Sequence, residues 1–207
     1  MINVVDKKYS ELCELLDKID FSKKRNMAIY GMSRTVKLVD IFQKTVDFNE
    51  LEILKQVLYE ICEAIKNNKF IDLSKYCDLC EKLIESANEQ KEYKDLSENE
   101  QLLCDRSYMF LECWFYFLQI NFIVDETEEN DYARFILFPA EILKELLSSL
   151  NDEKTYDDIQ MIINNNKQIS DEFELVDDEL ANTDREYDDF ERRVNDYMNY
   201  NIIRDLT

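Results

Sequence analysis

Two carboxylate pairs have the clearest chemical spacing in the chain. Glu60-x-x-Glu63 and Asp78-x-x-Glu81 each put two acids on one helix face. On two packed helices such pairs can hold Mg²⁺, so a Mg-dependent nucleotide hydrolase using Glu60, Glu63, Asp78 and Glu81 is one reading. The opposing reading is a solvated helix face, because acids three apart recur readily among 46 Asp and Glu. Cys77-x-x-Cys80 is half of a zinc site or a redox pair, but Cys104 and Cys113 are nine apart and complete neither. Structural thiols on a helix core face are the expectation there. The chain has no histidine, which removes Ser-His and Cys-His catalysis and histidine-bound metals. A single glycine leaves neither a phosphate loop nor a dinucleotide fingerprint. No catalytic residue, no metal ligand and no cofactor are expected.

Charge supplies the second signal. The net charge is −21. Residues 1–50 hold nine bases and eight acids, residues 51–124 eight and 14, and residues 125–207 eight and 24. The last stretch therefore carries −16 of the total. Such a surface repels nucleic acid and anionic membranes and attracts basic proteins, or else it serves solubility alone. Six cysteines and a short, polar N-terminus without a secretory signal suit reduced thiols in the cytoplasm.

One glycine and one proline in 207 residues argue against a β-rich fold, whose turns consume both. Apolar residues at steps of three and four predict helices over 7–18, 23–45, 51–66 and 73–88. Ser22 is the expected cap of the second, and Asn67 with Asn68 end the third. Residues 107–124 form the most apolar run, with Trp114 at its middle and Glu112 its only charge. A membrane span needs about 20 apolar residues. This run has 18 and includes Gln119 and Asn121, so it reads as the buried central helix, opened by a Ser97/Glu100 capping box. Glu112 must be paired, protonated or turned to an edge. Arg34, among apolar neighbours, is its expected structural partner. Pro139 is expected in the first turn of a later helix, and 152–166 form a further short one.

The C-terminal segment has the most regular pattern. Ile169, Phe173, Val176, Leu180, Thr183, Tyr187, Phe190, Val194, Tyr197 and Asn201 alternate by four and three, a heptad register. One helix of about 30 residues would be ~45 Å long. It would carry Asp177, Asp178, Glu179, Asp184, Glu186, Asp188, Asp189 and Glu191 as a partner-binding face.

The chain resembles the YjaG-like family of helical bacterial proteins. Met27-Ala28, then Arg34, then Phe42-Gln43-Lys44-Thr45 and Phe48 carry the likeness, followed by the aromatic helix and the acidic C-terminus. Where that family tends to have proline after the arginine, Val36 and Lys37 stand here. The resemblance implies a helical fold and brings no site.

The sequence therefore predicts an all-α, single-domain bundle over 1–207. About seven or eight helices would surround a central apolar helix, with a long acidic C-terminal helix. The expected function is an acidic binding protein, a bacterial immunity protein neutralising a cognate nuclease or other basic toxin. Tyr132, Tyr156, Tyr187, Tyr197 and Tyr200 are candidate aromatic anchors. The partner is a basic protein, with no direct nucleic acid and no membrane. A homodimer through the heptad seam is the alternative assembly. The alternative functions are a helical protein with no toxin partner, the Mg-dependent hydrolase, and a phage-type nucleic-acid mimic.

Overall fold

The sole glycine of the chain packs against the backbone of the helix that carries its sole proline. The structure, a computed structural model, describes residues 3–39, 51–89, 106–182, 187–200 and 202. Among these, nine α-helices follow one another without a strand: α1 (Val4–Leu16), α2 (Phe21–Thr35), α3 (Leu51–Lys66), α4 (Ser74–Glu89), α5 (Ser107–Gln119), α6 (Glu129–Ser149), α7 (Tyr156–Asn164), α8 (Lys167–Ala181) and α9 (Tyr187–Met198). A 3-10 turn at Val36–Leu38 extends α2. The all-helical bundle is thus as the composition requires. No described helix is long and apolar enough to cross a membrane.

The helix buried on every side is α2, and not the apolar run. All nine residues from Met27 to Thr35 are buried. It packs chiefly on α6, and a Cβ added at Gly31 would lie 2.2 Å from the Phe135 carbonyl oxygen and 2.8 Å from Ile136 Cα. Backbone cannot yield to such a contact, so only glycine permits this approach. Pro139 explains why that oxygen is available. It lies inside α6 rather than in a first turn. Lacking an N–H, it leaves the carbonyl four residues earlier, that of Phe135, without its helical donor. That carbonyl faces the space Gly31 leaves open.

The helix predicted over 107–124 is shorter. It ends at Gln119, and Ile120 is extended, with ψ 150°. Asn121 then caps the turn: its Oδ1 accepts the N–H groups of Ile123 and Val124 at 2.9 and 3.1 Å. The core role of α5 holds, since Phe110, Trp114 and Phe117 are buried, tilted or edge to face on one another and on Phe135, with Phe110 stacked on Phe138. The Trp114 indole donates to Thr35 Oγ1 at 3.2 Å. The predicted capping box at Ser97 and Glu100, and residues 40–45 of the second predicted helix, lie outside the described residues.

Local chemistry sets the other boundaries. Asn3 caps α1, accepting from the Asp6 N–H at 2.9 Å, so the helix starts before Lys7. α2 starts at Phe21, placing Ser22 inside it rather than at its cap. Asn68, at φ 48°, ends α3 as expected, with Lys69 N–H on the Ala64 carbonyl and Asn68 N–H on that of Ile65.

The long C-terminal helix does not form. α8 stops at Ala181 and α9 starts at Tyr187. Arg193 Nη2 lies 3.0 Å from Asp178 Oδ2, whereas 15 residues along one helix would span about 22 Å, so the segment folds back as a hairpin. The longest described helix has 21 residues, about 31 Å. A ~45 Å helix would project beyond it and leave its apolar stripe wet. Folding back instead buries Phe190 and Val194, with Phe190 and Tyr197 each 5.5 Å from the Tyr30 ring.

Candidate functional site

A charged cluster lies at the heart of the bundle, built from α2 and α8. The buried stripe of α8 is turned by one position from the predicted seam and includes Glu172, Val176 and Glu179. Seven residues apart, the two glutamates sit on one face, two turns from each other. Arg34 Nε donates to Glu172 Oε2 at 2.8 Å, and its Nη1 to Glu179 Oε1 at 2.5 Å. Its Nη2 reaches the Ile136 carbonyl at 3.4 Å. The Tyr197 ring centroid lies 5.0 Å from the guanidinium, with the phenol turned toward Glu179. Glu172 Oε1 and Glu179 Oε2 accept no hydrogen bond.

Arg34 is 0% exposed and each glutamate 1%. Burial outweighs the neighbouring guanidinium for both carboxyls and holds them above the ordinary glutamate range. The two acids in turn keep Arg34 charged. No substrate can reach these atoms, so the cluster ties α8 to α2 and is not an active site. The expected Glu112–Arg34 pair is thereby corrected: Glu112 sits half-buried at an edge of α5.

The proposed partner-binding acids fare unequally. Glu179 is not on the surface at all, because its face of α8 turns inward onto Arg34. Asp177 pairs with Lys8 at 2.5 Å, and Asp178 with Arg193 and the Asn182 amide. Asp189 is engaged by Arg192 and Arg193. Glu191 is half-buried. Asp184 and Glu186 lie outside the described residues, as do the side chains of Tyr187 and Asp188. Several of the C-terminal acids therefore stitch the hairpin to its own chain. The seam residues Ile169, Val176, Phe190 and Val194 are likewise buried within this chain. Among the tyrosines, Tyr132 is buried and offers no anchor, Tyr156 is 63% exposed, and Tyr197 and Tyr200 are half-buried.

The four candidate Mg²⁺ ligands are not assembled. Glu60 accepts from the Tyr76 hydroxyl at 2.8 Å and pairs with Lys75 at 3.3 Å, and these bonds hold its carboxyl below the usual range against the effect of burial. Glu63 lies near Lys66, and Asp78 and Glu81 are exposed. Among the described residues no group of three or more His, Cys, Asp or Glu is placed to hold a metal. Cys80 is buried and Cys77 half-buried on α4.

Sequence reasoning missed one surface feature. Phe70, 81% exposed, stands beside a cleft of about 300 Å³ between the start of α4 and the end of α5. A second cleft of about 370 Å³ adjoins it. No periodicity marks Phe70, which lies in a link between helices; its only signal is an aromatic residue in the polar phrase Asn-Asn-Lys-Phe-Ile-Asp. No protein-family model matches the chain, and neither a curated protein nor a solved structure matches it.

Proposed function

We propose that this protein is an acidic helical binding protein for a basic protein partner, in the form of an immunity protein that neutralises a cognate toxin in the cytoplasm. One observation carries the reading: 24 acids against eight bases over residues 125–207. A nuclease or similar toxin must be basic to hold phosphates, and an acidic face speeds and directs its capture. Binding is favoured over catalysis because the ionic cluster of Arg34, Glu172 and Glu179 is sealed from solvent, and Asp177 and Asp178 are paired within the chain.

The test begins with a basic toxin-domain protein encoded beside this chain, with both proteins purified. Association should slow about tenfold or more between low and physiological-to-high salt, as screening shortens the reach of the acids. A partner of acidic character, or an association rate indifferent to salt, would refute the reading.

A further inference from the structure

The connection between α5 and α6 is a preformed, acid-rimmed groove with exposed apolar side chains. Its two clefts share Gln119, Ile120, Asn121 and Glu126, so they adjoin along this connection. Asn121 fixes the turn through the N–H groups of Ile123 and Val124 and donates to Glu126 Oε2 at 3.2 Å. Arg25 Nη1 donates to the Phe122 carbonyl at 3.1 Å. A loop so tied is ordered before it binds, which lowers the entropic cost of recognition. Phe70 and Tyr116, which line the clefts, are 81% and 43% exposed. Arg134 covers the Tyr116 ring at 5.5 Å. Among the described residues, the charged ones lining the clefts are Asp72, Glu126, Glu128 and Asp131, all exposed, with no lysine or arginine.

Resting on the partner reading above, we propose that this groove, and not the C-terminal hairpin, docks the partner through a loop bearing lysine or arginine beside one large apolar side chain. Phe70 and Ile71 offer the apolar side chain a contact, and Glu126, Glu128 and Asp131 receive the cations. A second copy of this chain does not fit, since like acids would meet at a net −21 per molecule. Phosphate-bearing surfaces are repelled for the same reason. A linear polyamine supplies cations but nothing for the exposed Phe70.

The probe is a 12-residue peptide with two lysines and two arginines flanking a central Trp-Leu pair, titrated into the full chain with backbone amide shifts as the readout. Shifts should centre on residues 70–74 and 116–131. Phe70→Ala and the pair Glu126→Lys/Glu128→Lys should each weaken binding about tenfold, as anchor and charge losses do. Glu174→Lys, on the exposed face of α8, should leave it unchanged. Shifts confined to α8 and α9, with Glu174→Lys weakening binding, would overturn the groove while leaving the basic-partner reading intact. Spermidine binding the groove as tightly as the peptide would reassign it to small polycations. No binding of the peptide up to about 1 mM would count against both.

Discussion

Arg34→Met is the most informative perturbation, because one buried cation is ion-paired with two buried carboxylates, each of which has one oxygen without a hydrogen bond. Methionine keeps much of the stem and removes the charge. The two glutamates, at 1% exposure, must then be neutralised to remain buried. Protonating a carboxyl whose unfolded value is about 4.3 costs about 3.7 kcal/mol at pH 7 and about 1 kcal/mol at pH 5, at 1.36 kcal/mol per unit. If the native cluster already holds one proton, the variant takes up one more; if none, two. The loss is then about 4–7 kcal/mol at pH 7, overlapping the ~3–5 kcal/mol usual for breaking a buried pair, and about 1–2 kcal/mol at pH 5. Against a typical total of about 5–15 kcal/mol, the variant nears unfolding at neutral pH and recovers in mild acid.

The sign follows from the direction of the shifts. Both folded carboxyls lie above their unfolded value, so their contribution is full below the ordinary glutamate range and is lost as pH rises through the folded values. The assay is urea unfolding, followed by helical circular dichroism and Trp114 fluorescence, at pH 5 and pH 7. Adding Glu172→Gln and Glu179→Gln to Arg34→Met should remove the pH-dependent part of the loss, since amides need no proton. An equal loss at both pH values, or a triple variant as pH-sensitive as Arg34→Met alone, would refute the buried cluster.

Gly31→Ala places a methyl 2.2 Å from the Phe135 oxygen and forces α2 from α6, so a loss of about 3 kcal/mol or more is expected despite alanine's better helix propensity. A raised melting temperature would show that the crossing is looser than described. Burial pushes the Cys62 and Cys80 thiols up to about 12 and Cys113 well above its usual value, while half-buried Cys13 and Cys77 are raised less. Native alkylation at pH 8, read by mass spectrometry, should therefore modify Cys13 and Cys77 before Cys62, Cys80 and Cys113; early modification of Cys62 or Cys80 would contradict the packing of α3 and α4.

The sequence by itself determined the helical class and the main helical segments. Glycine and proline were too few for strands and turns, and the apolar steps of three and four over 51–66 survive unchanged in α3 because a local stripe needs only one neighbouring surface to bury it. Burial of Trp114 was legible for the same reason. Which helix is central was not: α2 reads as less apolar than α5, yet Gly31 and the freed Phe135 carbonyl let it come closest to α6. The heptad over 169–201 suggested one long helix, because periodicity records a face and says nothing about whether the chain turns back between Asn182 and Tyr187. The same limit hid the roles of the acids. In sequence Glu172 and Glu179 look like the exposed carboxylates around them, and only the rotation of α8 toward Arg34 makes them core residues. Charge is written in the chain, but its solvation is decided by what packs against it, and that depends on contacts more than a hundred residues apart.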